Sequence, residues 1–141
     1  MNLNSYITYI LFIKNNLTKR IKIAKLGKIN FKVGWYIYVG SARRNLLSRL
    51  RRHLSQNKKI FWHIDYFLSK NNVKIKKIGL TSLGECQVAR FLSEFGQGVL
   101  GFGCSDCNCP SHLFYIKKVK DIQEFIKNKF KEINLNEISY A

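Results

Sequence analysis

The 141-residue chain is poor in acid: 8 Asp and Glu stand against 25 Lys and Arg, giving a formal charge of +17. A surface that neutralises itself is thereby excluded, and a polyanion becomes the expected partner, phosphate backbones first. Long apolar runs are missing as well. The longest, Tyr6 to Ile13, falls far short of the roughly 20 residues a membrane-spanning helix needs. The N-terminus shows neither the charged region, the longer apolar block nor the small-residue cleavage site of a signal peptide. A cytoplasmic protein without membrane contact is therefore expected. Internal repeats and linker-like segments are also lacking, which leaves a single domain over residues 1–141, a common domain size. Apolar material is not scarce: 46% of the residues are hydrophobic, which excludes a disordered basic tail.

The basic excess is local. Residues 1–84 carry 18 Lys and Arg and one acid, Asp65, whereas residues 85–141 carry seven of each sign. On charge alone a Lys-rich composition kept for solubility is the other reading; arginine placement argues against it. Of seven arginines, Arg43, Arg44, Arg49, Arg51 and Arg52 fall within ten residues, and arginine is suited to bidentate phosphate contact.

The pattern along the chain is α+β. Tyr6–Ile13, Ile21–Leu26 and Trp35–Val39 read as three short strands separated by Asn15-Asn16 and Gly27, the third closed by Gly40; they predict an antiparallel sheet. A helix follows over Asn45–Leu54, with Leu46, Leu47, Leu50 and Leu54 on one stripe. Helices are also predicted at Phe61–Ser69, Ser82–Phe95 and Asp121–Phe130, and strands at Val73–Ile78 and Leu113–Ile116. Residues 96–112 form a Gly- and Cys-rich loop, and the last residues look frayed.

Several residues then stand out. Arg49 and His53 are four apart and stack on one helix face. Tyr36 and Tyr38 share one side of their strand, and Gly40 would let the chain turn tightly and admit a phosphate. Glu85 falls inside an apolar stripe, where a carboxylate must be paired, neutral or metal-bound. Ser82-Leu83-Gly84-Glu85 fits a capping box equally well.

Tyr38-Val39-Gly40-Ser41-Ala42, followed by Arg49-Leu50-Arg51-Arg52-His53, resembles the second half of the GIY-YIG nuclease signature. The resemblance is closest to its archaeal Uri-type branch. Trp62-His63-Ile64-Asp65-Tyr66, Glu85-Cys86, Phe102-Gly103-Cys104-Ser105-Asp106-Cys107, Cys109 and Ser111-His112-Leu113 follow in the order that branch shows. The resemblance implies a small three-stranded antiparallel sheet flanked by helices, here with an added Cys-rich loop and a C-terminal strand and helix. It also implies hydrolysis of DNA phosphodiesters with one Mg2+ or Mn2+, and structure- or damage-directed cutting is one form this could take. By position, Tyr38 is the second-motif tyrosine, Arg49 the catalytic arginine, Glu85 the metal ligand and His53 a frequent helper. Tyr9 is the counterpart of the first-motif tyrosine, with Tyr6 as the other candidate; Ile7 stands where the family has Gly. Tyr38 lies 29 residues beyond Tyr9, a long spacing that Uri-type sequences share. Gly40, Ser41, Arg43, Arg44 and Arg52 are the expected nucleic-acid contacts. Duplex or branched DNA is the first partner, RNA a second candidate, and a non-catalytic zinc-containing nucleic-acid-binding module on the same scaffold is the rival reading.

Cys104, Cys107, Cys109 and His112 offer four ligands within nine residues, a set that Zn2+ favours; a disulfide or free thiols fit the same spacing. His63 and Asp65 could lie near the metal, but residues two apart on a helix do not face each other, so a structural histidine and a solvent-side acid is the favoured reading; Asp106 is read as a loop cap. The aromatics of the first strand are read as sheet packing.

Overall fold

The structure, a computed structural model, describes residues 3–104 and 107–139; Asp106 lies outside the described residues. In chain order its elements are strand β1 (Thr8–Asn15), β2 (Lys19–Lys22), β3 (Lys28–Phe31), β4 (Gly34–Ser41), helix α1 (Leu46–Leu54), α2 (His63–Leu68), β5 (Val73–Thr81), α3 (Glu85–Leu92), β6 (Gln97–Gly98), β7 (Leu113–Ile116), α4 (Val119–Lys129), β8 (Lys131–Ile133) and α5 (Leu135–Ser139).

The α+β class holds, but the sheet is larger than three strands. Among the described residues six antiparallel strands run in the order β6-β7-β4-β1-β5-β8, and β2 and β3 form a separate ribbon. The segment Ile21–Leu26 does not join the main sheet. Its strand ends at Lys22, Ala24–Leu26 forms a 3-10 turn, and Gly27 at φ +81° reverses the chain so that Arg20 pairs with Asn30 and Ile21 with Ile29. This ribbon occupies the stretch between Tyr9 and Tyr38. It is pinned by the Asn15 amide, which donates to Lys32 O at 2.9 Å, and by Phe31 stacked on Phe67 at 4.6 Å.

Tyr9–Ile13 is buried continuously because helices cover both faces of the sheet. Tyr9, Leu11, Ile13, Tyr36 and Tyr38 face a core shared with Leu46, Leu50, Ile64, Phe67 and Ile138, on α1, α2 and α5. Ile10, Phe12, Ile37 and Val39 face Val88, Leu92, Ile122 and Ile126, on α3 and α4. At roughly 25 cal/mol per Å2 of apolar area, burying each such side chain is worth about 1.5–3 kcal/mol. Up to residue 139 the tail is ordered into elements: β8 adds an edge strand through Ile78 and Ile133, and α5 buries Ile138 while Ile138 O accepts from Arg51 Nε at 3.1 Å; the last two residues lie outside the described ones. Lys58 Nζ donates to the carbonyls of Arg52, His53 and Ser55, ending α1 with a cation on its free carbonyls.

Candidate active site

Tyr9 lies near the start of β1, opposite Gly40 on β4. A Cβ at position 40 would run into the Tyr9 phenol, so Gly40 seats the ring. That replaces the expected tight turn: Gly40 is inside a strand, beneath the Tyr9 ring, and lines the same cavity as that ring. The Tyr9 hydroxyl lies 2.6 Å from His53 Nε2 on α1. Tyr38, two residues before Gly40, meets the same imidazole edge-on. Burial raises the pKa of both phenols; each repels the negative charge of another group as well, Tyr38 foremost for Tyr9 and Glu85 foremost for Tyr38. Both stay protonated at neutral pH. Burial, then the Lys58 charge, pushes His53 down to about 3, so its imidazole is neutral there.

Arg49 stands one turn before His53. Its Nη1 donates to Ser41 O at 2.6 Å, and its guanidinium lies over Trp62, 4.8 Å from the ring centre. Glu85 opens α3 but does not cap it. No side chain caps that helix, so the capping box is not formed. Instead Glu85 Oε2 accepts from Ser41 Oγ at 2.7 Å, and Oε1 sits 3.0 Å from His112 Nδ1. Burial alone would raise the Glu85 pKa; the close approach of the His112 ring, the hydrogen bond from Ser41 and the positive charges of His112 and Arg49 overcome it and hold the carboxyl below its ordinary range.

Tyr9 from β1, Tyr38 from β4, Arg49 from α1 and Glu85 from α3 thus line one cavity of about 350 Å3, with Ser41 and His63 at its walls. Tyr6 precedes β1 and is not among its lining residues, so Tyr9 is the first-strand tyrosine brought to the pocket. A larger cavity of about 670 Å3 lies between α3 and the cysteine loop. Its walls include Ala89, Leu100, Pro110 and Phe114 with Arg90, Cys86 and Cys109, and they offer no carboxylate and no phenol.

Two expectations about charged residues are corrected. Arg52 is not free for phosphate: Nη1 and Nη2 donate to the two Asp65 oxygens at 2.9 and 2.7 Å, and the guanidinium stacks on Trp62 at 4.2 Å. Asp65 is fully buried rather than solvent-side, and it also accepts the backbone N–H groups of Phe61 and Trp62. Burial opposes its ionisation, but these hydrogen bonds, Arg52 first, lower its pKa. The one signal in the sequence that could have raised a pairing is a lone acid among many cations. Arg43 and Arg44 are exposed just after Ser41, as phosphate contacts require. His63, read as structural, reaches the pocket wall while its Nδ1 accepts the Gly103 N–H at 2.9 Å.

The metal-ligating set differs from the one read in the loop. Cys86, Cys107, Cys109 and His112 bring their ligand atoms within 4.8 Å of one another and could hold a metal ion. Cys104 is outside this group; its thiol meets Phe102 O at 3.3 Å. The four cysteines are free of disulfides. The fourth ligand comes from the first turn of α3, which loop spacing could not reveal.

No curated protein and no solved structure matches the chain. The family described as "Domain of unknown function DUF123" matches residues 8–135, from the first residue of β1 to the first of α5. The chain belongs to the DUF123 family.

Proposed function

We propose that the protein is a divalent-metal-dependent endonuclease that hydrolyses DNA phosphodiester bonds, on a GIY-YIG-like site. The observation that carries this reading is the convergence of Tyr9, Tyr38, Arg49 and Glu85 on one cavity from four separate elements. The resemblance supplies the roles, and the position of Arg43 and Arg44 beside the pocket within the basic part of the chain supplies a DNA-attracting field.

The residues present fit Mg2+ or Mn2+. A carboxylate has about four acceptor sites, and Glu85 engages one through Ser41 and one toward His112, leaving room for a hard cation that prefers oxygen and keeps several waters. Bound there, the cation would polarise the phosphate and steady the leaving oxygen. Arg49 spends one donor on Ser41 O, and its remaining N–H groups neutralise charge building on the phosphate, an effect often worth about 10²–10³ in rate. Neutral His53 fixes the Tyr9 hydroxyl, so that the phenol oxygen can accept from an attacking water. Tyr38 bounds the same volume. Zinc is the ion this reading expects at the cysteine–histidine group, in a structural capacity.

The test is nicking of supercoiled plasmid and branched DNA with Mg2+ or Mn2+. Cleavage by the wild type, lost at least 100-fold in Arg49→Ala and Glu85→Ala, is the expected result. Salt-sensitive binding with no cleavage on any substrate would replace the nuclease by a nucleic-acid-binding module.

A further inference from the structure

His112 connects two groups of residues that otherwise have separate chemistry. It is 2% exposed. One ring nitrogen, Nε2, lies 3.4 Å from Cys107 Sγ within the metal-capable group. The other, Nδ1, lies 3.0 Å from Glu85 Oε1. That second contact is off the line of a good hydrogen bond, and among the described residues the buried Nδ1 has no hydrogen-bond partner. A metal ion on Nε2 fixes the tautomer with the proton on Nδ1, which gives Glu85 a donor at that position. Cys86 strengthens the link, because it follows Glu85 directly at the start of α3. The thiolate group and the carboxylate are therefore carried by one turn of helix and one histidine.

We propose that Cys86, Cys107, Cys109 and His112 Nε2 hold one zinc ion, and that this ion, through His112 Nδ1–H, positions the Glu85 carboxylate at the cavity. The four-ligand, thiolate-rich set suits tetrahedral zinc with no open position. The ion would then be structural toward the loop and a support for the magnesium site, with His112 as a positioning residue. Carboxylates that hydrogen-bond the far nitrogen of a zinc-bound histidine are a recurring outer shell, and disrupting such contacts typically changes metal affinity by about 10–100-fold. Here the same contact is used in the other direction, from the zinc toward the carboxylate. The coupling rests on the proposed role of Glu85 as a metal ligand; the zinc site does not.

Three measurements on the full chain test this. Zinc content and X-ray absorption should show one zinc per chain with three sulfur ligands and one nitrogen. Cys86→Ser should lose most of that zinc under a chelator challenge that Cys104→Ser withstands. His112→Cys keeps four zinc ligands and so guards against simple unfolding, but it removes the imidazole facing Glu85. Titration with Mn2+, followed by its paramagnetic resonance signal, should show roughly tenfold weaker binding in zinc-loaded His112→Cys than in the wild type. Zinc-free protein, or zinc that needs Cys104 and not Cys86, overturns the site. Zinc-loaded His112→Cys with unchanged Mn2+ affinity overturns the coupling. Wild-type protein that binds no Mn2+ overturns Glu85 as a metal ligand, and the coupling with it, whereas Mn2+ binding without DNA cleavage overturns the nuclease reading alone.

Discussion

Acid should destabilise this protein through His53 at a pH well above the carboxylate range. The imidazole is 2% exposed, and its Nδ1 has no hydrogen-bond partner among the described residues. Around it stand Tyr9 and Tyr38 from the sheet, Arg49, Arg52 and Lys58, and Asp65 from α2. Burial is the main cause that depresses its pKa to about 3; Lys58 and the two arginines add to it and Asp65 opposes. The unfolded histidine titrates at about 6.5. Because the folded pKa is the lower one, stability from this group is complete above about 6.5 and is lost as pH falls toward 3. While the unfolded chain holds one more proton, each pH unit costs about 1.4 kcal/mol. Between pH 6.5 and 4.5 the loss is then about 2–3 kcal/mol, a large share of the roughly 5–15 kcal/mol that a domain has. Urea unfolding at several pH values in this window reads it. The control is His53→Gln, whose amide can meet the Tyr9 hydroxyl but cannot titrate. Contributions from Glu85, His112 and the thiols are common to both proteins, so the difference in slope isolates His53. Parallel stability curves would refute the argument, because they would mean that position 53 takes up no proton on unfolding.

Other perturbations have equally definite outcomes. Gly40→Ala places a Cβ against the Tyr9 ring; it should cost about 1–3 kcal/mol in urea unfolding and abolish cleavage by displacing the phenol. Arg52→Met removes the counterion of fully buried Asp65 and should lower stability by about 2–4 kcal/mol, less than a wholly enclosed pair because Arg52 is itself partly exposed. Arg43→Ala with Arg44→Ala should leave the melting behaviour unchanged but reduce the slope of log affinity for duplex DNA against log salt by about 1–2, the amount expected for two phosphate contacts. Nitrocellulose binding across a salt series measures it, and an unchanged slope would remove these arginines from the DNA interface.

Much of the site was legible because its residues obey local periodicities. Arg49 and His53 are one helical turn apart, Tyr36 and Tyr38 share a strand face, and these relations hold whatever the tertiary structure. What stayed hidden was which distant groups would meet. Asp65 is the one acid in the first 84 residues, yet nothing local says that Arg52, rather than any of its cationic neighbours, takes it into the core. Strands of two and three residues such as β6 and β8 are too short to show an alternation, so the sheet was read as smaller than it is. Cys86 was hidden for a geometric reason. Successive residues on a helix point about 100° apart, so Glu85 can face the pocket while its neighbour faces the cysteine loop.

The same distinction bears on the proposed GIY-YIG reading, in which Ile7 would occupy the position of the signature's first glycine. Position 7 already continues the ladder: its N–H donates to Thr81 O at 3.2 Å, and its carbonyl accepts from Ala42 N at 2.9 Å. Its backbone is not in the left-handed region that favours glycine. A β-branched residue fits such a site well. The constraint on the Tyr9 ring instead comes from across the sheet, where Gly40 is the residue whose Cβ would occupy the space of the phenol. A glycine is therefore needed to admit this tyrosine, but the need lies on the partner strand, at the position where the Tyr38-Val39-Gly40 motif supplies it. On this argument Ile7→Gly should weaken the end of this central strand without raising any DNA cleavage. Gly40 is the position at which a single methyl group separates a seated tyrosine from a displaced one.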